Sequence, residues 1–165
     1  MNDQLDSKGK LESSGQIQLV GFTIDDEPFG LDILAVQEIN RMAKITKVPQ
    51  TPEFVEGVIN LRGTVIPVID LRKKLGLPSK VHDKHTRIIV AEITTRTIGF
   101  VVDTVTEVIR IAKNLVDSLP ELVSGKDQDY IRGVGKLDKR LLMLLDIDAM
   151  FSSSEQEQIS ETAST

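Results

Sequence analysis

The sequence predicts an all-β chain that forms two small antiparallel barrels with short helices. Apolar residues make up 40% of the 165 residues and aromatic residues only 4%, so we expect a core of Val, Ile and Leu, which suit strands. A central segment has the pattern of a β-hairpin, and the two halves of the chain can be laid over each other. Two similar units of about five strands, with no room for crossover helices, indicate two barrels that pack on one another.

The hairpin pattern lies at Glu56–Leu71, which reads EGVINLRGTVIPVIDL. Two runs rich in Val and Ile flank a polar break at Arg62–Thr64, where Gly63 can adopt the positive φ that a tight turn needs. Arg62 is therefore predicted at the hairpin tip. Because Pro67 has no N–H, its strand is expected to lie at a sheet edge or to carry a bulge.

Cap and turn signals place the other elements. Asp70 is expected to cap a short helix that ends before Gly76. The segment Ile33–Met42 is ambiguous between helix and strand. The other predicted strands are Gln16–Ile24, Pro28–Asp32, Arg87–Ile93, Ile98–Val102 and Val105–Ile111, followed by an irregular connection at Ala112–Asp129, a closing hairpin at Tyr130–Leu137 and Arg140–Leu145, and a short helix at Asp146–Phe151.

The internal repeat appears at two alignments of the halves. Apolar matches arise easily by chance in an aliphatic chain, but matched glycines and acids are harder to explain as coincidence. The first alignment pairs Gly30 with Gly99 and Glu38 with Glu107, and the second, at a slightly longer offset, pairs Gly57 with Gly133 and Asp70 with Asp146. The offset changes in the long connection after Ile111, where an insertion costs little.

We expect one domain with two polar ends that have little to bury. The predicted divisions are residues 1–15 as a disordered lead, 16–79 as the first repeat, 80–86 as a linker, 87–151 as the second repeat and 152–165 as a disordered tail. Residues 16–151 then form a single domain in which the two repeats share a core.

Composition argues against several classes of partner. The chain has no cysteine, which excludes disulfides and thiolate–metal sites, and its net charge is −5. A barrel that binds nucleic acid or a small ligand would predict a basic stripe with stacking aromatics, and one Tyr and five Phe in an acidic chain supply neither. No apolar run reaches the length of a membrane span, so we expect a soluble cytoplasmic protein without direct membrane insertion.

The sequence shows no catalytic set. It has no phosphate-binding Gly-rich loop, nucleophile elbow or HExxH motif, so we expect neither an enzyme nor a bound cofactor. His82 and His85, with Asp83, could form half of a metal site. They lie in the polar linker without a third strong ligand nearby, which favours a solvated loop. An enzyme would instead need a convergent polar set in a pocket.

The repeat suggests one surface for a partner. If related strands of the two halves meet at a pseudo-twofold axis, then Val36 and Ile39 of the first half and Val105 and Val108 of the second would line an aliphatic groove between the barrels. The groove is a hypothesis that a structure with these residues scattered or deeply buried would remove.

The hairpin tip suggests a second surface, because the two halves differ there. Asn60 and Arg62 of the first half correspond to Lys136 and Asp138 of the second. The fold therefore does not demand an arginine at Arg62. Two interpretations remain open: a solvated turn residue, or a docking anchor that presents a planar charged fork on a rigid hairpin. Glu38 is a candidate intramolecular partner for Arg62.

At these motifs the chain resembles the bacterial chemotaxis coupling proteins of the CheW family. The resemblance runs from about Gln16 to Phe151, which leaves only the two ends outside. Its most specific segments are GLDILAVQEI (Gly30–Ile39), FVEGVINLRG (Phe54–Gly63), VIPVIDLR (Val65–Arg72), IGFVVDTVTEV (Ile98–Val108) and LLMLLDIDAM (Leu141–Met150).

The resemblance implies a pair of SH3-like five-stranded barrels and a non-enzymatic adaptor. Such proteins couple the cytoplasmic tips of methyl-accepting chemotaxis receptors to the regulatory domain of the histidine kinase CheA, which implies a cytoplasmic protein recruited to membrane-bound receptor arrays. The implied receptor-binding residues are Val36, Ile39, Val105 and Val108, and the residues implied to dock the kinase or a receptor are Glu38, Asn60 and Arg62. The sequence does not decide whether Arg62 meets a partner or only braces Glu38.

Overall fold

A computed structural model describes residues 15–117 and 130–163. The strands of these residues are β1 (Gln16–Ile24), β2 (Glu27–Asp32), β3 (Val36–Arg41), β4 (Val55–Leu61), β5 (Thr64–Asp70), β6 (Arg87–Ile93), β7 (Arg96–Val102), β8 (Thr104–Ala112), β9 (Val116–Asp117), β10 (Ile131–Leu137) and β11 (Arg140–Leu145). The helices are α1 (Leu71–Lys74) and α2 (Ser153–Ala163), with 3-10 turns at Ile33–Ala35, Lys113–Leu115 and Ile147–Met150. The predicted all-β class is confirmed, and the ambiguous segment Ile33–Met42 resolves into a 3-10 turn followed by β3.

The described strands form two sheets that exchange hairpins between the halves of the chain. One sheet has the order β8-β1-β2-β11-β10-β9, and the other has the order β3-β6-β7-β5-β4. The hairpin β1–β2 of the first half thus completes the sheet of the second half, and β6–β7 completes the sheet of the first half. The boundary between the two sequence repeats is therefore not the boundary between the two sheets.

The two sheets nevertheless have the same plan. If β6, β7, β8, β10 and β11 stand in the second half for β1 to β5 in the first, both strand orders read third, first, second, fifth and fourth, with β9 added at one end. Neighbouring strands are antiparallel except on one side of each exchanged hairpin, where β2 pairs with β11 and β7 pairs with β5 in parallel. The exchange therefore adds one parallel pair to each otherwise antiparallel sheet.

The apolar core has three parts that follow from this exchange. One buried cluster belongs to the five-stranded sheet, and another belongs to the six-stranded sheet. The largest cluster draws on both halves of the chain, with Phe22, Ile24, Phe29 and Ile69 from the first and Ile89, Phe100, Leu145 and Phe151 from the second. Because this cluster joins the halves, neither half buries its apolar surface alone.

Each sheet closes on itself because the chain that follows its edge strand, β3 in one sheet and β8 in the other, returns to the opposite edge. After β3 the chain returns to the opposite edge, where Thr46 and Val58 exchange backbone hydrogen bonds of 2.9 and 2.8 Å. After β8 the short strand β9 pairs with β10 in the same way, and Asp117 stands opposite Val134. Val134 is the equivalent of Val58 in the alignment that pairs Gly57 with Gly133. Closure leaves fewer exposed strand edges.

The central hairpin has the predicted form, with one difference in the neighbourhood of its proline. Arg62 and Gly63 form the turn with φ of 54° and 90°, as a tight hairpin needs. The side chain of Asp70 caps α1 by accepting a hydrogen bond from the backbone N–H of Arg72 at 3.0 Å. However, β5 is an internal strand rather than an edge. Pro67 is tolerated at a position just before the parallel pairing with β7 begins.

The prediction of a disordered tail at residues 152–165 is wrong for the part that the structure describes, because Ser153–Ala163 is the helix α2. Ser152 and Glu155 form a capping box: the Ser152 hydroxyl accepts from the backbone N–H of Glu155 at 3.1 Å, and the Glu155 carboxylate accepts from that of Ser152 at 2.9 Å. Ile159 is fully buried in the shared cluster. One large apolar residue gives no helical stripe, so the sequence pattern did not indicate this helix.

Helix α2 is also held by the side chain of Lys74. Its ammonium group donates hydrogen bonds of 3.0 Å to both carboxylate oxygens of Glu155. The same group lies 4.9 Å and 5.0 Å from the ring centroids of Phe54 and Phe151. The C-terminal helix is thus attached to the first-half elements by charge as well as by packing. Nearly all of the predicted lead at 1–15 and most of the connection at 112–129 lie outside the described residues.

Barrel closure predicts that Gly57 tolerates no side chain. Its φ is +153°, and a Cβ atom there would lie 2.2 Å from the carbonyl oxygen of Thr46. We expect Gly57→Ala to lower the free energy of unfolding, measured by chemical denaturation, by more than about 2 kcal/mol. Gly63→Ala is the matched control, because its φ is +90° and its Cβ would meet nothing within 4 Å. It should cost about 1 kcal/mol of backbone strain alone. Equal losses in the two variants would contradict the closure argument.

Candidate functional site

The predicted groove residues lie on two edge strands of the described structure. β3 ends the five-stranded sheet and carries Val36 and Ile39, while β8 ends the six-stranded sheet and carries Val105 and Val108. Val36 and Val105 are half-buried and both pack against the shared cluster between the sheets. Ile39 and Val108 are 40% and 53% exposed. None of the four is deeply buried, and the two half-buried valines meet the same core.

A β-bulge in each edge strand puts each apolar pair on one face. In a regular strand, residues three positions apart point to opposite faces. In β3 the register shifts between Val36 and Glu38, so one extra residue separates Val36 from Ile39. In β8, Val105 stands opposite Phe22 of β1 and Val108 stands opposite Val20. Three residue steps along β8 therefore match two steps along β1, which is a bulge in β8.

We call the four side chains of Val36, Ile39, Val105 and Val108 the seam surface. Val36 and Ile39 stand opposite Ala91 and Ile89, and both of those residues belong to the shared cluster. The equivalent bulges in the two halves thus put each aliphatic pair on one face of its strand, the face on which Val36 and Val105 pack against the shared cluster. Exposed edge strands with apolar side chains are suited to bind protein partners.

The hairpin tip carries an ion pair that joins the two edges of the five-stranded sheet. The guanidinium group of Arg62 donates to both carboxylate oxygens of Glu38, through Nη1 at 3.0 Å and through Nη2 in a second, shorter contact. The Arg62 side chain is 71% exposed. Asn60 serves the turn itself, because its side-chain oxygen accepts a hydrogen bond from the backbone N–H of Gly63 at 2.7 Å. Glu38 is thus the intramolecular partner of Arg62, and the pair remains open to solvent.

The ion pair shifts the titration of both groups. The hydrogen bond from Arg62, with its positive charge, holds the pKa of Glu38 below the ordinary value of a glutamate, although partial burial opposes this. The hydrogen bond from Glu38, with its negative charge, raises the pKa of Arg62 in turn. Both charges persist at neutral pH, and a partner that competes for either one finds a planar fork or a carboxylate already oriented.

The histidines of the linker do not form a metal site with their neighbours in the described structure. His82 lies with its Nε2 3.5 Å from a carboxylate oxygen of Glu56. Asp83 instead accepts a hydrogen bond of 2.8 Å from the backbone N–H of His85. Across residues 15–117 and 130–163, no group of three or more His, Asp or Glu side chains is arranged to hold a metal ion. In the same residues, no helix is long and apolar enough to cross a membrane.

One charged cluster was missed by the sequence reasoning. Arg72 opens a basic run with Lys73 and Lys74, a pattern typical of a solvated helix face, yet only 8% of Arg72 is exposed. It pairs with Asp25 and Asp103, which are distant in sequence. The available signal was weak: Arg72 follows the capping residue Asp70 closely, where the first helical turn faces the core.

The comparisons with known proteins agree with this architecture. A family model described as the CheW-like domain matches residues 18–155. The chain belongs to the CheW-like domain family. It is 38% identical over 152 residues to the chemotaxis protein CheW of Klebsiella aerogenes, covering 92% of this chain and 91% of that protein. It is 40% identical over 133 residues to the chemotaxis protein CheW of Thermotoga maritima, covering 81% and 86%.

A solved structure of the same CheW family supports the fold. The crystal structure of the scaffolding protein TtCheW from Thermoanaerobacter tengcongensis matches with a TM-score of 0.78 at 39% sequence identity, over 84% of this chain and 94% of that one. The predicted family resemblance is therefore confirmed. The CheW relatives are named as chemotaxis and scaffolding proteins rather than enzymes, and this chain is a member of that scaffolding family.

The ion pair predicts a change in the acid titration of Glu38. Arg62→Gln removes the hydrogen bond and the charge that favour the carboxylate, so the pKa of Glu38 should rise toward its ordinary value of 4.5. A carboxyl group whose pKa is lower in the folded state contributes stability that is lost as pH falls through that folded-state pKa. Arg62→Gln should therefore weaken the acid dependence of stability below pH 4.5.

The measurement is a carbon-detected NMR titration of the side-chain carboxyl groups. Asp83 is the internal control, because the backbone N–H of His85 holds the pKa of its carboxyl low and Arg62 takes no part in that contact. An unchanged pKa for Glu38 in the variant would mean that the ion pair does not form in solution.

Proposed function

We propose that this protein is a non-enzymatic adaptor that couples methyl-accepting chemotaxis receptors to the histidine kinase CheA. It would act in the cytoplasm at the tips of receptors in membrane-bound arrays. Membership of the CheW-like domain family supports the signalling context. The single observation that carries the proposal is the pair of equivalent bulges, which put Val36 with Ile39 and Val105 with Val108 on one face of an edge strand in each sheet.

The seam surface fits a receptor tip of the helical-hairpin form that the family resemblance implies. An amphipathic helix binds by laying an apolar ridge into an apolar groove, with anchors every three or four residues. Short aliphatic side chains on two strands can contact such a ridge from both sides. Val36 and Val105 form the floor of this surface because they rest on the shared cluster, while Ile39 and Val108 form its exposed part.

The hairpin that carries Arg62 is the proposed docking site for the regulatory domain of the kinase. An arginine on a rigid turn is a common anchor of protein interfaces, because little side-chain freedom is lost per hydrogen bond formed. Glu38 orients the guanidinium group, and Asn60 fixes the turn. Because β3 carries Glu38 as well as Val36 and Ile39, the proposed kinase and receptor sites share one strand.

The test of the function is titration calorimetry with two purified partners. The CheA regulatory domain and a receptor-tip fragment are titrated separately and then together against the full chain. Binding of both, including simultaneous binding, would support an adaptor with two faces. Binding of neither would overturn the proposal and leave only the family fold. Competition between the two partners would contradict the separate sites.

The receptor contact is best tested at Val108, since Val105 is half-buried against the core and a charge there would endanger the fold. Val108→Asp should weaken binding of the receptor-tip fragment at least about tenfold, because it places a carboxylate in an apolar contact. Val81→Asp is the matched control. Val81 is 87% exposed in the linker, away from both edge strands, and should bind the fragment like the unaltered chain. Equal affinities for the two variants would remove Val108 from the interface.

The kinase contact is tested at Arg62. Arg62→Ala should leave the free energy of unfolding nearly unchanged, because an exposed ion pair contributes little to stability. It should nevertheless impair assembly of receptor fragment, adaptor and kinase domain, measured by sedimentation. Arg96→Ala removes another exposed arginine, from the start of the internal strand β7, and serves as the charge-matched control. Unimpaired assembly with Arg62→Ala would make Arg62 a solvated turn residue.

A further inference from the structure

Arg72 is a buried cation whose three hydrogen-bonding groups reach three separate segments. Nη1 donates to Asp103 at 2.6 Å, and Nη2 donates to Asp25 at 2.9 Å. Nε donates to the backbone carbonyl of Pro78 at 2.8 Å. A guanidinium group has the planar fork that such a divergent set requires, and a lysine does not.

The acceptors lie where the two sheets are joined. Asp25 is in the turn between β1 and β2, which belong to the six-stranded sheet. Asp103 stands between β7 of one sheet and β8 of the other. Arg72 itself follows β5 of the five-stranded sheet at the start of α1. The guanidinium group therefore connects one sheet to two segments of the other, the β1–β2 turn and the residue that immediately precedes the edge strand β8.

Further contacts tie Asp103 to its position. Its carboxylate also accepts from the backbone N–H of Asp25 at 2.8 Å, and its own N–H donates to the carbonyl of Thr23 at 3.1 Å. The hydroxyl groups of Thr23 and Thr104 are 2.7 Å apart. Lys80 lies 3.9 Å from the Asp103 carboxylate, so two cations face two carboxylates. These contacts form a closed polar network immediately before Val105.

A network of this kind contributes more to geometry than to net stability. Removing charges from water costs free energy that the mutual attraction often only balances, whereas its directional hydrogen bonds define one arrangement. An apolar core could hold the sheets together without it, as the shared cluster already does. The hydrogen bonds of the Arg72 guanidinium group therefore fix the position at which β8 begins, which packing of the apolar core alone does not do.

We propose that Arg72 is a positioning residue that sets β8, and with it Val105 and Val108, relative to β3 across the seam surface. The expected consequence is a receptor site that is already formed before the receptor binds, and this consequence rests on the proposed function. Preorganisation of this kind lowers the cost of ordering a surface on binding. Without the fork of Arg72, β8 samples more than one position and the seam surface binds its partner less tightly.

The geometric test needs no partner. Because the chain contains no cysteine, spin labels can be placed uniquely at Arg41→Cys on β3 and Arg110→Cys on β8, both of which are exposed. Pulsed electron resonance then gives the distance distribution across the seam. We expect Arg72→Met to broaden or shift this distribution, and Arg72→Lys, which keeps the charge without the fork, to have an intermediate effect. Lys74→Met is the matched control, because it removes a neighbouring ion pair that reaches Glu155 instead.

The functional test is the affinity for the receptor-tip fragment. Arg72→Met should weaken it at least tenfold while leaving the affinity for the CheA regulatory domain unchanged. Ile59→Ala is the stability control, since it lowers stability from within the five-stranded sheet and its buried cluster contains no residue of β8 or of the network. If Arg72→Met does not fold, Asp103→Asn takes its place with the same expected results.

The outcomes separate the two proposals. An unchanged distance distribution and unchanged receptor affinity in the Arg72 variants would overturn the positioning role. A loss of affinity in Ile59→Ala equal to that in Arg72→Met would do the same, since stability alone would then explain it. Failure of the unaltered chain to bind the receptor fragment would overturn the proposed function, and the label distances would still decide the role of Arg72.

Discussion

The exchange of hairpins between the two sheets is the constraint on which the rest of the structure depends. Each sheet needs two strands from the other half of the chain: β1–β2 lies between β8 and β11, and β6–β7 lies between β3 and β5. In a half alone, the hairpin from the other half would be missing from the middle of the sheet. β3 would then lose its partner β6, β8 would lose its partner β1, and apolar surface would be left uncovered. Folding therefore couples residues that are distant in sequence, which makes the two sheets one cooperative unit rather than two independent domains.

This coupling explains why a binding surface can be shared between the halves. β3 and β8 are equivalent strands of different sheets, and Val36 of one and Val105 of the other pack against the same shared cluster. The two halves differ in how the seam is held. In the two alignments of the repeat, Arg72 and Asp25 correspond to Asp148 and Thr94. There the Asp148 carboxylate accepts only a 3.3 Å hydrogen bond from the Thr94 N–H. The second half folds with this weaker contact at the equivalent place. Folding alone therefore does not require the buried Arg72, which fits the role of positioning β8.

Local patterns in the sequence predicted most elements, but not how they combine. The hairpin around Arg62, the cap at Asp70 and the strand that carries Val105 and Val108 follow from alternation, turn chemistry and the repeat. The segment that became β3, with Val36 and Ile39, was ambiguous between helix and strand. The exchange could not be predicted, because β1–β2 and β6–β7 have similar patterns and either could complete either sheet. Bulges depend on the register of a partner strand, and the helix α2 depends on a single buried isoleucine, Ile159. Tertiary context decides each of these.

The two candidate surfaces differ in the kind of free energy that they offer a partner. The seam surface is aliphatic, so its contribution scales with buried apolar area and depends little on ionic strength. The Arg62–Glu38 pair is exposed, so its own contribution to stability is small and salt screens its attraction for an approaching charge. A partner at the hairpin must compete with Glu38 or join it, whereas a partner at the seam displaces only water. A scaffolding protein with both surfaces can bind one partner through buried apolar area and can discriminate among candidates for the other through charge and hydrogen-bond geometry.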